Sequence, residues 1–201
     1  MKLYLASGNA HKVLEFQALA DASGLALEII SAKAIGGMPA VVEDAGTFIG
    51  NATKKARALK SMLPADAWVL SDDSGLCVDA LGGGPGVESA YYAGPQGDSA
   101  ANLAKLVQTL RGVPDERRGA YFVCVLVLID SSGKERVFEG RCNGRLLHDP
   151  RGGAGFGYDP LIVPEGQERS MAEMNEPSKN AISHRGRAAR ALWAWMAGLT
   201  E

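Results

Sequence analysis

Hydrophobic and polar positions change period several times along the chain, and each change predicts an element. Lys2–Ala6 alternates around Leu3 and Leu5 and breaks at Ser7-Gly8-Asn9, the pattern of a strand entering a turn. Val13, Phe16 and Ala20 then recur at helical intervals until Gly24, and Ala26–Ser31 reads as a second strand. Gly36 to Gly46 reads as a loop. From Thr47, a candidate N-cap, Phe48, Ala52, Ala56, Leu59 and Met62 mark a helix that Pro64 stops. Ala67–Leu70 is a short apolar strand running into the polar stretch Ser71-Asp72-Asp73-Ser74-Gly75, with Leu76–Ala80 as another short strand. Six glycines and two prolines between Gly82 and Gly97 predict a loop of special backbone geometry. Asp98 or Ser99 then caps a helix with Leu103, Leu106, Val107 and Leu110 on one face. Ala120–Ile129 is apolar on both faces, as a central strand covered on both sides would be, and Asp130–Gly133 turns it back into Val137–Cys142. Gly152–Gly157 leads into a short strand at Leu161–Val163, and Ser170 with Glu173 has capping-box spacing for a short helix. A final helix covers roughly Ser183–Ala197 and buries Ala188, Leu192 and Trp195 or Met196.

Strands and helices that alternate early, with a hairpin in the middle, predict a mixed α/β fold and not a purely parallel doubly wound sheet. Apolar residues make up 46% of the 201 and charged residues 22%, enough for one well-buried domain. No linker, repeat or low-complexity segment divides the chain, so a single domain over residues 1–201 is expected. Lys and Arg number 21 against 23 Asp and Glu, a net charge of −2. That balance argues against coating a nucleic-acid backbone, while leaving room for a small anion held by a few local cations. Cys77, Cys124 and Cys142 cannot all pair with one another and lack metal-binding spacing, so they read as buried thiols in a reducing compartment. The stretch Met1–Ser7 turns polar too quickly for a signal peptide, and no run of about 18 apolar residues occurs, so a soluble cytoplasmic protein without a membrane partner is expected. Trp68, Trp193 and Trp195 read as packing residues, with Trp193 a candidate dimer or lobe contact.

Polar clusters just after strands are the candidates for chemistry, because strand ends in α/β folds open onto the ligand crevice. Three occur. Ser7-Gly8-Asn9-Ala10-His11-Lys12 joins a strand to a helix, where free N–H groups, a hydroxyl and an ammonium can hold a phosphate; an ordinary helix cap with a solvated lysine has the same pattern. Asp72-Asp73-Ser74-Gly75 places two carboxylates after a buried strand, which is costly unless they are paired or bind metal. Adjacent side chains of an extended chain point opposite ways, so both face one point only if the backbone turns, as Gly75 would permit. Glu43 could then complete an oxygen set for Mg²⁺; a surface Asx-turn is the plainer alternative. The third cluster joins Gly155-Phe156-Gly157-Tyr158-Asp159 with Lys179-Asn180-Ala181-Ile182-Ser183-His184-Arg185. Phe156 and Tyr158 can stack on a planar ring, Asp159 can accept from ring nitrogens, and His184 and Arg185 can donate to carbonyls or phosphates.

Taken in order, these clusters resemble the inosine/xanthosine triphosphate pyrophosphatase family, enzymes that remove non-standard purine nucleotides. The resemblance runs from Ser7-Gly8-Asn9-Ala10-His11-Lys12 through Glu43, Thr47-Phe48, Asn51-Ala52 and Lys55-Ala56 to Ser71-Asp72-Asp73-Ser74-Gly75-Leu76. It continues with Val78-Asp79-Ala80-Leu81, Pro85-Gly86-Val87 and Ser89-Ala90. It closes with Gly155-Phe156-Gly157-Tyr158-Asp159-Pro160, Met171-Ala172-Glu173 and Lys179-Asn180-Ala181-Ile182-Ser183-His184-Arg185-Gly186. The chain departs from the family at Ala45, where glycine is usual, and at Gly84, Glu88 and Tyr91.

The resemblance implies an elongated mixed sheet flanked by helices, two lobes with a cleft between them, and a homodimer. It also implies roles. Gly8, Ala10 and His11 lie within the phosphate-binding opening, where Ser7, Asn9 and Lys12 would bind the triphosphate with support from Lys55. Glu43, Asp72 and Asp73 would hold Mg²⁺, with Asp73 as the base that activates water and Ser74 touching substrate. Phe156, Gly157, Tyr158, Asp159, Lys179, His184 and Arg185 would enclose the purine, with Arg185 or Lys179 reading the 6-oxygen that distinguishes inosine and xanthosine from adenosine. The implied reaction is hydrolysis of dITP, ITP or XTP at the α-phosphorus to the monophosphate and pyrophosphate. A pyrophosphatase for modified pyrimidine nucleotides, a non-catalytic nucleotide binder and a structural domain remain the alternatives.

Overall fold

Alternation around Leu3 and Leu5 becomes strand β1 (Lys2–Leu5) in a computed structural model that describes residues 1–199. β1 belongs to a six-stranded sheet with β2 (Glu28–Ser31), β3 (Trp68–Val78), β4 (Gly119–Ile129), β5 (Glu135–Leu146) and β6 (Ile162–Pro164), in the order β2-β1-β3-β4-β5-β6. β1 is parallel to β2, with Lys2 opposite Glu28, and to β3, with Leu3 opposite Trp68; β5 and β6 are antiparallel. The sheet is therefore mixed. Among the described residues five α-helices accompany it: α1 (Ala10–Ser23), α2 (Phe48–Lys60), α3 (Ser99–Thr109), α4 (Glu176–Ile182) and α5 (His184–Ala197). Among the described residues no helix is long and apolar enough to cross a membrane.

Local chemistry sets the helix ends. The Asn9 side chain accepts from the His11 N–H to start α1, and Gly24 ends it at φ 73°, a left-handed conformation that glycine adopts without steric cost. Thr47 caps α2 through the Gly50 N–H, and Asp98, not Ser99, caps α3 by accepting from Ala100 and Ala101. The Ser170–Glu173 capping box is present, but it opens only the short 3₁₀ turn Met171–Glu173. α4, seven residues started by Asn175, was not foreshadowed by any apolar stripe.

One expectation fails instructively. The sequence predicts two short strands around a turn at Ser71–Gly75, whereas β3 runs unbroken from Trp68 to Val78. The polar run stays extended because its groups find partners inside the fold: the Ser71 hydroxyl donates to Ala52 O at 2.7 Å, and Asp72 is salt-bridged.

The chain groups into two compact units. Unit 1 comprises Met1–Asp73, Cys124–Gly140 and Arg185–Glu201, and unit 2 comprises Ser74–Val123 and Arg141–His184. In unit 1, one core cluster packs Leu3, Leu5, Phe16, Leu70, Leu126 and Leu192, and a second packs Ala52, Ala56, Leu59, Val69 and Val127. Trp193, read from the sequence as a packing residue and a candidate dimer or lobe contact, is 3% exposed and lies in the first cluster, where it serves packing. Trp195 is tilted against Trp68, with ring centroids 6.4 Å apart, and carries the Arg136 guanidinium over its face at 4.2 Å.

The unit 2 core packs Leu76, Leu106, Leu110, Phe122, Leu146 and Leu161. It also encloses Arg118, 1% exposed, whose guanidinium donates to the carbonyls of Leu146, Leu110, Val113 and Leu147. Arg118 thus adds a second donor at Leu110 O, the carbonyl that closes α3 and already accepts from the Val113 N–H at 3.0 Å.

Candidate active site

Because β3 stays extended through both residues, Asp72 and Asp73 point to opposite faces, and the two carboxylates meet different partners. Asp73 Oδ1 accepts from Lys55 Nζ at 2.7 Å, and Lys55 Nζ also donates to Glu43 Oε2 at 2.8 Å. Lys55 projects from α2 and Glu43 from the loop before that helix, so three elements of unit 1 converge on one ammonium. Asp73 Oδ2 is buried without a hydrogen-bond partner among the described residues. Burial pushes the Asp73 carboxyl up to about 6; Lys55 opposes the rise and the Glu43 charge adds to it. For Lys55, burial acts against the charge, but Asp73 and Glu43 more than offset it and raise its pKa.

Asp72, 1% exposed, is bound by cations on both oxygens. Lys12 of α1 salt-bridges Oδ1, Arg185 Nε donates to Oδ2 at 2.9 Å, and the Cys124 thiol donates to Oδ2 at 3.2 Å. Burial alone would raise this carboxyl, but Arg185 and Lys12 hold it well below the usual carboxylate range. Arg185 continues the network through Nη1 to Glu15 Oε2 at 2.8 Å.

Two expected groupings are set out differently by the described side chains. Among the described residues no three His, Cys, Asp or Glu side chains gather to hold a metal ion. Glu43 and Asp73 come together; Asp72 is turned into the ion-pair network. Arg185, expected at the purine, lies in unit 1 at 2% exposure with Nε and Nη1 on buried carboxylates. Glu15 was missed altogether. The available signal was its position three residues after Lys12 and four before Leu19, which sets a charge beside the apolar stripe of α1.

The opening turn matches its expected form. Ser7 Oγ accepts from the Asn9 N–H at 3.1 Å, Gly8 is exposed, and Ala10 and His11 begin α1, whose first N–H groups have no carbonyl of their own helix to meet. Lys12 lies in the same first turn. A helix start of this kind attracts anions.

In unit 2, the loop 155–159 has a definite internal order. Asp159 Oδ2 accepts from the Phe156 N–H at 2.9 Å and from Lys179 Nζ at 2.7 Å, and Lys179 Nζ lies 5.3 Å from the Phe156 ring centre. Gly157 takes φ 64°, the left-handed region. Tyr158 was expected to stack on a ligand ring, but it is 5% exposed within the unit 2 core and its hydroxyl donates to Ser89 O at 2.8 Å. Phe156 is left as the aromatic residue of this loop able to meet a planar ligand. His184 is buried and stacked on Phe122 with centroids 4.7 Å apart. Ser74 is half-buried in β3 as the first residue of unit 2.

Asp73 and Glu43 fit a divalent cation of the Mg²⁺ type. Such an ion takes one or two protein carboxylates and completes its shell with phosphates and water, and the buried, unpartnered Asp73 Oδ2 is an oxygen suited to it.

Known proteins match this chain over nearly its whole length. A dITP/XTP pyrophosphatase of Opitutus terrae is 64% identical over 199 residues, covering 97% of this chain and 98% of that protein. Another dITP/XTP pyrophosphatase, from Streptomyces coelicolor, is 47% identical over 193 residues, 95% of this chain and 94% of that protein. Among solved structures, a HAM1 protein from Coxiella burnetii superposes with TM-score 0.87 at 34% identity, over 98% of this chain and 99% of that one. The nucleoside-triphosphatase (dITP/XTP pyrophosphatase) of Mycobacterium abscessus does so with TM-score 0.75 at 43% identity, over 96% and 97%. The profile of the Ham1 family matches residues 3–195, and the chain belongs to that family.

Proposed function

We propose that this chain is a Mg²⁺-dependent nucleoside triphosphate pyrophosphatase that converts dITP, ITP and XTP to the monophosphate and pyrophosphate. The observation that carries the reading is the convergence of Asp73 and Glu43 on Lys55, with one buried Asp73 oxygen unpartnered, in a chain 64% identical to a dITP/XTP pyrophosphatase. Asp73 takes a proton from water, the water oxygen bonds to the α-phosphorus, and the bond from that phosphorus to the bridging oxygen breaks, releasing pyrophosphate. A carboxylate raised to about 6 remains mostly ionised near neutral pH and is a stronger base than an ordinary aspartate. Lys12, Lys55 and the N-terminus of α1 offset the charge of the triphosphate, with Ser7 and Asn9 ordering the turn. Glu43 and Asp73 would hold Mg²⁺, which when bound would supply further charge neutralisation at the phosphates.

Phe156 offers the purine a stacking face. Lys179 uses one of its three donors on Asp159 and keeps others for the 6-oxygen. The reading covers the whole chain as one functional domain and includes a homodimer in the cytoplasm, with no nucleic-acid or membrane partner. The near-neutral charge supports the last point.

A panel of ITP, dITP, XTP, the four common nucleoside triphosphates and modified pyrimidine triphosphates, with Mg²⁺, tests the reading. Pyrophosphate release confined to the 6-oxo, deaminated purines is expected. Orthophosphate release, or preference for a modified pyrimidine, would overturn it. Lysine variants add a second test: Lys55→Ala is expected to cost more in kcat/KM than Lys12→Ala, because it also removes the ammonium that bridges Glu43 and Asp73. Each lost charge-assisted contact is worth roughly 1.5–3 kcal/mol. Calorimetry should show both variants weakening ITP binding far more than inosine binding.

A further inference from the structure

Glu43 belongs to a loop without regular structure over residues 37–44, yet its carboxylate is held at 2.8 Å from Lys55. Asn51 accounts for this. It lies in the first turn of α2, is 2% exposed, and its Oδ1 accepts from the backbone N–H of Ala45 at 3.1 Å. Asn51 and Lys55 are four residues apart and share one face of the helix. The first holds the loop backbone two residues past Glu43, and the second holds the Glu43 carboxylate. Gly50 lets the loop come this close: a Cβ there would stand 2.5 Å from the Ala45 Cβ and 2.9 Å from Thr47 Oγ1. The Ala45 methyl fills the space that a side chain at position 50 would need.

We propose that Asn51 is a positioning residue, which seats the loop on α2 so that Glu43 meets Lys55 and Asp73, with the Ala45–Gly50 contact setting the loop's height. The proposal rests on the reading of Glu43 given above. A buried asparagine that only stabilised the fold would weaken the protein without acting through Glu43, and a double-mutant cycle separates the two cases.

Asn51→Ala should accelerate hydrogen exchange at the Ala45 amide by about tenfold or more, since that N–H loses its acceptor. It should lower kcat by roughly 10–100-fold, the usual loss when a residue orienting a carboxylate ligand is removed. In a Glu43→Ala background the same substitution should cost less than about twofold. Gly50→Ala reaches the loop from the other side with Asn51 intact. It should reproduce the exchange and rate losses, and adding Ala45→Gly should recover part of both; this arm decides the matter if Asn51→Ala does not fold. Unchanged Ala45 exchange in Asn51→Ala, or rate losses fully additive with Glu43→Ala, would overturn the role of Asn51. A wild-type rate in Glu43→Ala would overturn the reading of Glu43 itself, whatever the exchange data show.

Discussion

Asp73→Asn should lower kcat by roughly 10²–10⁴-fold, the span attributed to a lost general base, while the protein stays folded. The amide fills the volume of the carboxylate. It cannot take a proton from water, and it removes the charge that Lys55 meets at 2.7 Å. Replacing a carboxylate whose pKa burial has raised also relieves a desolvation cost, so the melting temperature should hold or rise slightly. Turnover measured at saturating ITP and Mg²⁺, beside a thermal melt, checks both halves. Near-wild-type kcat would remove Asp73 from the chemistry.

Arg185→Ala should act on stability first. The guanidinium is 2% exposed and serves Asp72, 1% exposed, and Glu15, 7% exposed. Its removal leaves two buried carboxylates short of their cation, a change that typically costs about 3–5 kcal/mol. For a protein of this size that corresponds to a fall in Tm on the order of 10 °C. Adding Glu15→Gln should return part of the loss, because one of the stranded charges is then gone.

Acid should show the same network. The folded-state pKa of Asp72 lies below its unfolded value, so its contribution to stability is present above about pH 4 and is lost as pH falls further. In Arg185→Ala that loss on acidification should shrink. An unchanged Tm together with an altered ITP-to-ATP ratio of kcat/KM would return Arg185 to the base-reading role first expected of it.

What the sequence disclosed, and what it hid, follows from the range of the interactions. Caps and periodic apolar faces are local, so α1, α2, α3, α5 and the central strand β4 were legible from Asn9, Thr47, Asp98 and the Leu and Val positions. β3 was misread at its centre because Ser71, Asp72 and Asp73 look like a turn until their partners are known. Those partners, Ala52, Lys12, Arg185 and Lys55, come from three helices far away in the chain. The site divided the same way. Motif order named Glu43, Lys55 and Asp73, which the fold brings together, but the alternation of an unbroken strand, which gives Asp72 to the ion-pair network and Asp73 to Lys55, could not be seen while a turn was assumed. Tyr158 and Arg185 were named for the chemistry their side chains allow. Burial directs both to the protein's own groups instead: the Ser89 carbonyl, and the carboxylates of Asp72 and Glu15.

The placement of the aromatic residues bears on how unfolding can be watched. All three tryptophans, Trp68, Trp193 and Trp195, fall in unit 1, whereas unit 2 holds four of the five tyrosines and no tryptophan. Indole emission excited at long wavelength is therefore an optical reporter of unit 1 alone. A denaturation curve recorded that way will overlay one followed by peptide circular dichroism only when the two units melt in a single cooperative step.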